Sequence, residues 1–402
     1  MITPSQRSAD FHYAIRNVVR AAEALERRGR PVTYLNIGDP QAFGFRPPAS
    51  VVEAVARATR DRFTGYAHSS GLLEARKAIS AYATDLGAQT SPNEILVTAG
   101  ASEAADLVLT ALVNPGDEVL LPAPGYPLYS AILKKLGAVA TYYQLDEALG
   151  WQPSIEDVRA LITKNTRALV LINPNNPTGA VSTVETTTGL LQLAAEFNLL
   201  VISDEVYREL CFVDSPISAS VLATEIGLPV ITLESLSKTH MLSGWRVGWM
   251  RFSNAHEMPD LIAAITRLAS GRLCSPTTAQ YAIDPALSGG NGFVKDFINE
   301  IKKRRDLAVD YVKSIDGLSC WTPEAAFYMM IRADFLEGRT DEQFVLELLE
   351  ETGLLVVHGS GFGCDIHAGY FRLVYLADEE VLAGAFSGIK GFVGKQRTQN
   401  RG

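Results

Sequence analysis

The segment PVITLESLSKTHMLSGWRVGWMRF (229–252) holds two short apolar runs, 229–233 and 247–252, on either side of a polar turn. Each run is short and rich in β-branched or aromatic residues, so each reads as a strand. Between them Lys238 sits among small hydroxyl residues, Ser235, Ser237 and Thr239, with Arg246 eight positions on. An exposed loop lysine needs no such setting. A lysine amine that forms a Schiff base with a carbonyl compound is the alternative, and the hydroxyls and the guanidinium fork suit a phosphate.

Working outward, four more apolar runs have the same character: EILVT (94–98), EVLLP (118–122), ALVLI (168–172) and LLVIS (199–203). Helical patterns lie between several of them, as at 102–112 and 183–197. Strands that are apolar throughout and separated by helices predict an α/β fold, with a mostly parallel sheet covered by helices. In such a sheet ligands bind outside the carboxyl ends of the strands. There the sequence offers Ala99-Gly100-Ala101-Ser102, then Ala123-Pro124-Gly125-Tyr126, then NPNNPTG (173–179), then Asp204-Glu205-Val206-Tyr207, then the lysine segment. Any one of these could be loop chemistry. Glycines, an aromatic, an amide, a carboxylate and a lysine delivered to one edge read together as a cofactor site.

The C-terminal third changes character. A helical stretch at 291–312 precedes short strands, AFYMMIR (326–332) and YFRLVYL (370–376). We read a large domain at 46–288 and a smaller α+β domain made of 1–45 and 289–402. The composition, 47% hydrophobic and 20% charged, can fill cores of that size. The net charge of −9 argues against nucleic acid, whose partners carry a basic face. The tail GKQRTQNRG reads as a frayed terminus rather than a basic arm. Four widely spaced cysteines without CxxC fit a reducing cytoplasm. The N-terminus lacks an apolar signal core, and no run reaches the ~18 residues of a membrane span. The six histidines show no metal-ligand spacing, and no GxSxG elbow is present.

Each candidate has a bland alternative. Asp204, ending an apolar strand, is a helix N-cap or the partner of a protonated pyridine nitrogen. Tyr207 packs in the core or donates to a phenolate oxygen, as Asn176 can from its amide unless NPNNPTG is only a turn. Tyr126 is an ordinary aromatic or stacks on a flat ring. Ala101 and Ser102 open a helix whose first N–H groups can bind phosphate. GSGFG (359–363) is a small-domain loop rather than a nucleotide loop. Arg372 is an exposed-face charge or a bidentate clamp on a carboxylate.

Taken together, SLSKTHMLSGWRVG (235–248), NPNNPTG, SDEVY (203–207) and APGYPLY (123–129) resemble the class I/II aminotransferases of pyridoxal phosphate (PLP) fold type I, in order along almost the whole chain. The resemblance implies that Lys238 carries pyridoxal 5'-phosphate covalently and later shuttles a proton. It implies that Asp204 pairs with the pyridine nitrogen, that Asn176 and Tyr207 hold the ring oxygen, and that Tyr126 stacks on the ring. Ala101, Ser102, Ser235, Ser237 and Arg246 would hold the phosphate. Arg372 and the backbone at Gly38 would hold the α-carboxylate. GYAHSSG (65–71) is similar to the segment whose tyrosine, here Tyr66, reaches the phosphate of a second subunit, which implies a homodimer. Met241 departs from the pattern, standing where the family usually has a small or aliphatic residue.

YAIRNVV (13–19), LNIGDPQAFGF (35–45), RLASGRLCSPTTAQYAI (267–283) and VVHGSGFG (356–363) look like alanine aminotransferases of bacteria and archaea. That implies ping-pong exchange of an amino group between alanine and 2-oxoglutarate. Arg16, with Tyr13 near it, is the candidate for the distal carboxylate, against an ordinary exposed charge. Aminotransferases for aspartate or aromatic substrates, and a C–S β-lyase, stay open on the same scaffold. A PLP-dependent transcription regulator would need a DNA-binding domain, for which about 45 residues ahead of the core are too few.

Overall fold

The computed structural model describes residues 2, 3, 5, 14–289, 292–336 and 338–399. After a two-residue strand β1 (Thr33–Tyr34) come the strands of the main sheet. They are β2 (Ile95–Thr98), β3 (Glu118–Ala123), β4 (Val139–Asp146), β5 (Gln152–Pro153), β6 (Thr166–Ile172), β7 (Leu200–Asp204), β8 (Val230–Ser235) and β9 (Gly248–Ser253). Their spatial order is β2-β9-β8-β7-β6-β3-β4-β5. The five central strands β8, β7, β6, β3 and β4 are parallel neighbours, while β9 runs antiparallel to both β2 and β8.

The apolar runs are continuous because both faces of the sheet are covered. Along β6, Ala168, Val170 and Ile172 join one core with the helices Ala101–Leu112, Leu128–Leu136 and Pro259–Gly271. Leu169 and Leu171 join the opposite core with the helices Ile155–Ala160, Val184–Glu196 and Ala219–Thr224. β4 was not anticipated from its sequence. Its side chains are mostly exposed or half-buried and only Tyr143 is buried, so it has β-propensity but no apolar run.

The second sheet is antiparallel, formed by β10 (Leu318–Cys320), β11 (Tyr328–Ala333), β13 (Val357–His358) and β14 (Tyr370–Val374), in the order β10-β11-β14-β13. Between β11 and β13 lies β12 (Leu354–Leu355), which pairs in parallel with β1. The helices Gly292–Lys313, Asp341–Thr352 and Glu379–Gln399 pack on this sheet through Ala308, Val312, Phe344, Leu348, Phe386 and Phe392. The helix Ala14–Arg27 packs Val18, Ala22 and Leu25 against Leu349, Leu355 and Phe362. The tail differs from the frayed end expected. It is helical through Gln399, and buried Gln396 accepts a hydrogen bond from Arg339 at 2.6 Å. Among the described residues no helix is long and apolar enough to cross a membrane.

Candidate active site

The carboxyl ends of β2, β3, β6, β7 and β8 open into a cleft of about 860 Å³ that also receives Arg372 from the small sheet. Strand register aligns its floor. Ile172, Asp204 and Leu233 form one row across β6, β7 and β8, and Ser235, Gly248 and Thr98 form a row across β8, β9 and β2. Of the described residues lining the cleft, Arg20, Lys238, Arg246 and Arg372 are cationic and only Asp204 is anionic. A chain of net charge −9 thus places a positive pocket at the end of its sheet, suited to an anionic ligand.

Asp204 is 7% exposed. Strand alternation turns it to the face where Leu200 and Ile202 pack, and there the Tyr129 hydroxyl donates to its Oδ2 at 2.8 Å. The Val206 N–H donates to Oδ1 at 3.3 Å. Burial pushes its carboxyl up to about 6, although these two donors and nearby Lys238 act the other way. Such a carboxylate is suited to holding a cationic N–H inside the cleft. Tyr129 was missed by the sequence reading. Its signal was the requirement that a buried carboxylate have donors, with a second tyrosine three positions beyond Tyr126.

Lys238 is half-buried, and its Nζ donates to the Gly38 carbonyl at 2.7 Å. The Ser237 N–H donates to Ser235 Oγ at 3.1 Å, which orients that hydroxyl. Arg246 donates to the carbonyls of Ser243 (2.9 Å) and Ala99 (3.2 Å), so its fork lies against the turn before the helix Ala101–Leu112. Close packing here requires glycine. A Cβ on Gly100, where φ is +84°, would stand 2.6 Å from Arg246 Nη2, and a Cβ on Gly248 would stand 2.6 Å from the Ala101 nitrogen. The first N–H groups of that helix have no intrahelical acceptor. They open on the same cleft as the side chains of Ser102, Ser235, Ser237 and Arg246, donor groups of the kind that could hold a phosphate.

Arg372 is not an exposed-face charge; it is 1% exposed. Its neighbours Phe371 and Leu373 enter the helix-covered core, so alternation turns Arg372 to the other face of β14. There it donates to Asn176 Oδ1 at 3.0 Å and to the Asn36 carbonyl. The bond to Oδ1 leaves the Asn176 NH₂ as its donor side. The Tyr207 and Tyr328 hydroxyls are 2.8 Å apart, and burial raises the Tyr207 phenol. Tyr126 is half-buried and lines the same cleft. Asn36, fully buried at its wall, has no hydrogen-bond partner among the described residues for either end of its side-chain amide. A Cβ on Gly38 would overlap the Tyr328 hydroxyl and the Phe327 ring. Gly38→Ala is therefore expected to destabilise the protein by about 1–3 kcal/mol. A lower urea midpoint at unchanged m-value would register it, and an unchanged midpoint would refute the close approach.

Met241 adopts a positive φ of 58°, is buried, and accepts a hydrogen bond from Gln41 through its carbonyl. The long side chain is absorbed into the core of the small sheet rather than the cleft. One predicted residue is placed elsewhere, and the side chains of two lie outside the described residues. Tyr66 is 84% exposed and lines a separate surface pocket with Trp245 and Thr277. Tyr13 lies outside the described residues. Arg16 lies in the helix Ala14–Arg27, but its side chain is outside the described part. Arg20, one turn further along, does line the cleft.

The profile of the family described as "Aminotransferase class I and II" matches residues 30–387. Glutamate-pyruvate aminotransferase AlaA of Haemophilus influenzae is 36% identical over 393 residues, 96% of each chain. Alanine aminotransferase of Mycobacterium tuberculosis is 36% identical over 399 residues, 97% of this chain and 92% of that one. Among solved structures, alanine aminotransferase from Pyrococcus furiosus superposes with a TM-score of 0.95 at 38% identity, covering 98% of this chain and 100% of that one.

Proposed function

The chain belongs to the class I and II aminotransferases, and from that premise we propose that it exchanges an amino group between alanine and 2-oxoglutarate by a ping-pong reaction. The observation that carries this reading is the cleft itself, in which a lysine, a buried carboxylate and a buried arginine meet in a positive pocket. Identity of 36% along nearly the whole length to proteins named for alanine and for glutamate-pyruvate supports the substrate pair.

The residues present fit pyridoxal 5'-phosphate. The glycine-lined cradle at Gly100 and Gly248 with its phosphate donors, and the buried Asp204 carboxylate, open on the same cleft as Lys238. In this reading Lys238 anchors the cofactor. Ala101, Ser102, Ser235, Ser237 and Arg246 hold the phosphate, Asp204 pairs with the ring nitrogen, Asn176 and Tyr207 donate to the ring oxygen, and Tyr126 stacks on the ring. When bound, the cofactor supplies an electron sink for the pair left behind by the departing α-proton.

The chain's own residues do the rest. Arg372 grips the α-carboxylate with its fork, helped by the backbone at Gly38, and so fixes the amino acid over the site. Lys238 Nζ, once displaced by the substrate's amino group, would take the α-proton as a general base and give it back as a general acid. Asp204, ionised above about pH 6, keeps the ring nitrogen protonated throughout.

For the distal carboxylate we retain Arg16, with Tyr13 beside it. The position of Arg20, one turn on and lining the cleft, supports that face of the helix. Arg16→Ala is expected to raise the KM for 2-oxoglutarate about tenfold, the worth of one charge-assisted hydrogen bond, without changing that for alanine. An unchanged KM for 2-oxoglutarate would remove the assignment.

We propose a homodimer in which Tyr66 reaches the phosphate site of a second copy, a reading supported by its exposure outside its own chain's cleft. A cytoplasmic location is supported by four free cysteines. The division into 46–288 and 1–45 with 289–402 is supported by the two sheets, each with its own helical cover.

The test is an absorbance titration of the purified, cofactor-loaded protein with single amino acids and no oxo acid. Conversion by alanine and glutamate, with little by aspartate or aromatic amino acids, is expected. Conversion only by aspartate or aromatic amino acids would change the substrate. Steady release of pyruvate and ammonia without an acceptor would make the protein a lyase.

A further inference from the structure

Phe362 has no part in the chemistry above, yet its ring lies 4.6 Å from the centre of the Arg372 guanidinium, which also faces the Tyr328 ring at 4.5 Å. Aromatic faces of this kind hold a guanidinium in a fixed plane. That plane decides whether its fork can meet a carboxylate with two parallel bonds. Phe362 ends the short turn Gly359–Phe362, closed by Gly363 with φ +94°. No side chain caps the turn from His358.

What holds the turn comes from the helix Asp341–Thr352 packed beside it. Asp341 is 1% exposed. Its Oδ2 accepts the Ser360 backbone N–H, and its Oδ1 accepts the Ser360 hydroxyl at 2.8 Å. With that hydroxyl proton committed to Asp341, Ser360 Oγ accepts from His358 Nδ1 at 2.8 Å. The same turn is fastened to the other side of the cleft, because the Gly125 N–H donates to the Phe362 carbonyl at 2.8 Å, next to Tyr126. Asp341 thus anchors a short chain of contacts that runs through Ser360 and Phe362 to Arg372.

We propose that Asp341 and Ser360 are positioning residues for the substrate α-carboxylate, acting through Phe362 to set the plane of the Arg372 guanidinium. This rests on the reading of Arg372 as the carboxylate clamp. Asp341→Asn keeps the shape but offers an amide donor where Ser360 needs an acceptor. The turn should then loosen, weakening substrate binding more than the chemical step.

The experiment uses the cofactor-loaded enzyme and its variants Asp341→Asn, Phe362→Leu, Arg372→Lys and Asp341→Asn with Arg372→Lys. It measures KM and kcat for alanine and 2-oxoglutarate, and the cofactor dissociation constant. It also measures, by absorbance, the dissociation constant of 2-methylalanine, an amino acid with a carboxylate but no α-proton. Asp341→Asn and Phe362→Leu are each expected to raise both KM values and the 2-methylalanine constant about tenfold, as loss of one charge-assisted bond would. They should leave kcat within about threefold and cofactor affinity unchanged. In the Arg372→Lys background Asp341→Asn should add less than about twofold, since residues acting through one group do not add. If Arg372→Lys raises KM and Asp341→Asn does not, the proposal is wrong while the clamp stands. Full multiplication of the two effects also overturns it. If Arg372→Lys leaves KM unchanged, the clamp falls and the proposal with it. Should Asp341→Asn fail to fold, Phe362→Leu decides alone by the same readings.

Discussion

Lys238→Ala is expected to lower kcat by a factor on the order of 10⁴ or more, because it removes the nucleophilic amine and the proton carrier together. No other described residue lining the cleft can take its place. Arg246 and Arg372 stay protonated in proteins, and both are engaged by carbonyl or amide oxygens. The fold should be little affected. Lys238 is half-buried, and among the described residues its one hydrogen bond is to the Gly38 carbonyl. Turnover of alanine with 2-oxoglutarate, measured beside the circular dichroism spectrum and melting temperature, separates the two effects. A variant that keeps a tenth of wild-type turnover would sink the lysine assignment and the proposed function with it.

Asp204→Asn is expected to act in opposite directions on activity and on stability. Activity should fall by ~10²–10³-fold, the range for losing an electrostatic partner in a water-poor site. Stability of the cofactor-free protein should rise. Burial raises the folded-state pKa of Asp204 from 3.8 to about 6. The protonated form is therefore the one favoured by folding. Its contribution is complete below about pH 4 and is lost as the pH rises through about 6. Above that, holding the ionised carboxylate costs about 3 kcal/mol, at ~1.4 kcal/mol per pH unit. An asparagine escapes that cost at pH 7.5 and has no advantage near pH 4, so the two urea midpoints should converge on acidification. Parallel midpoints from pH 4 to 7.5 would show that burial of Asp204 is not the cause. A residue kept at a cost in stability marks a site shaped for its ligand.

Much of the site was legible because its residue types sit at strand ends. Asp204 directly follows LLVIS, Asn176 follows ALVLI in a proline-rich turn, and Lys238 follows PVITL. In a sheet covered on both faces, an apolar run has to be a strand and its end has to face the same edge as its parallel neighbours. What sequence did not reveal was which side chains meet across the chain. For Arg372 the choice between an exposed charge and a carboxylate clamp stayed open in the strand pattern, because alternation alone cannot tell a solvated sheet face from one closed by other parts of the chain. Tyr129 looked like one more aromatic until the helix Leu128–Leu136 brought its hydroxyl to Asp204, 75 positions away. β4 escaped notice because a strand with only Tyr143 buried carries no apolar run, although β3 and β5 pair with it on either side.

The amino-acid sequence by itself determined the apolar strands of the main sheet and their order along the chain, the residue types at their ends and the family. These depend on local hydrophobic period and on residue type. The tertiary structure alone decided that Arg372 is buried against two aromatic rings, that Asp204 has a tyrosine donor, and that Asp341 bonds to the turn bearing Phe362. Those pairings join residues far apart in sequence. Their partners are chosen by the packing of whole elements, which no single stretch encodes.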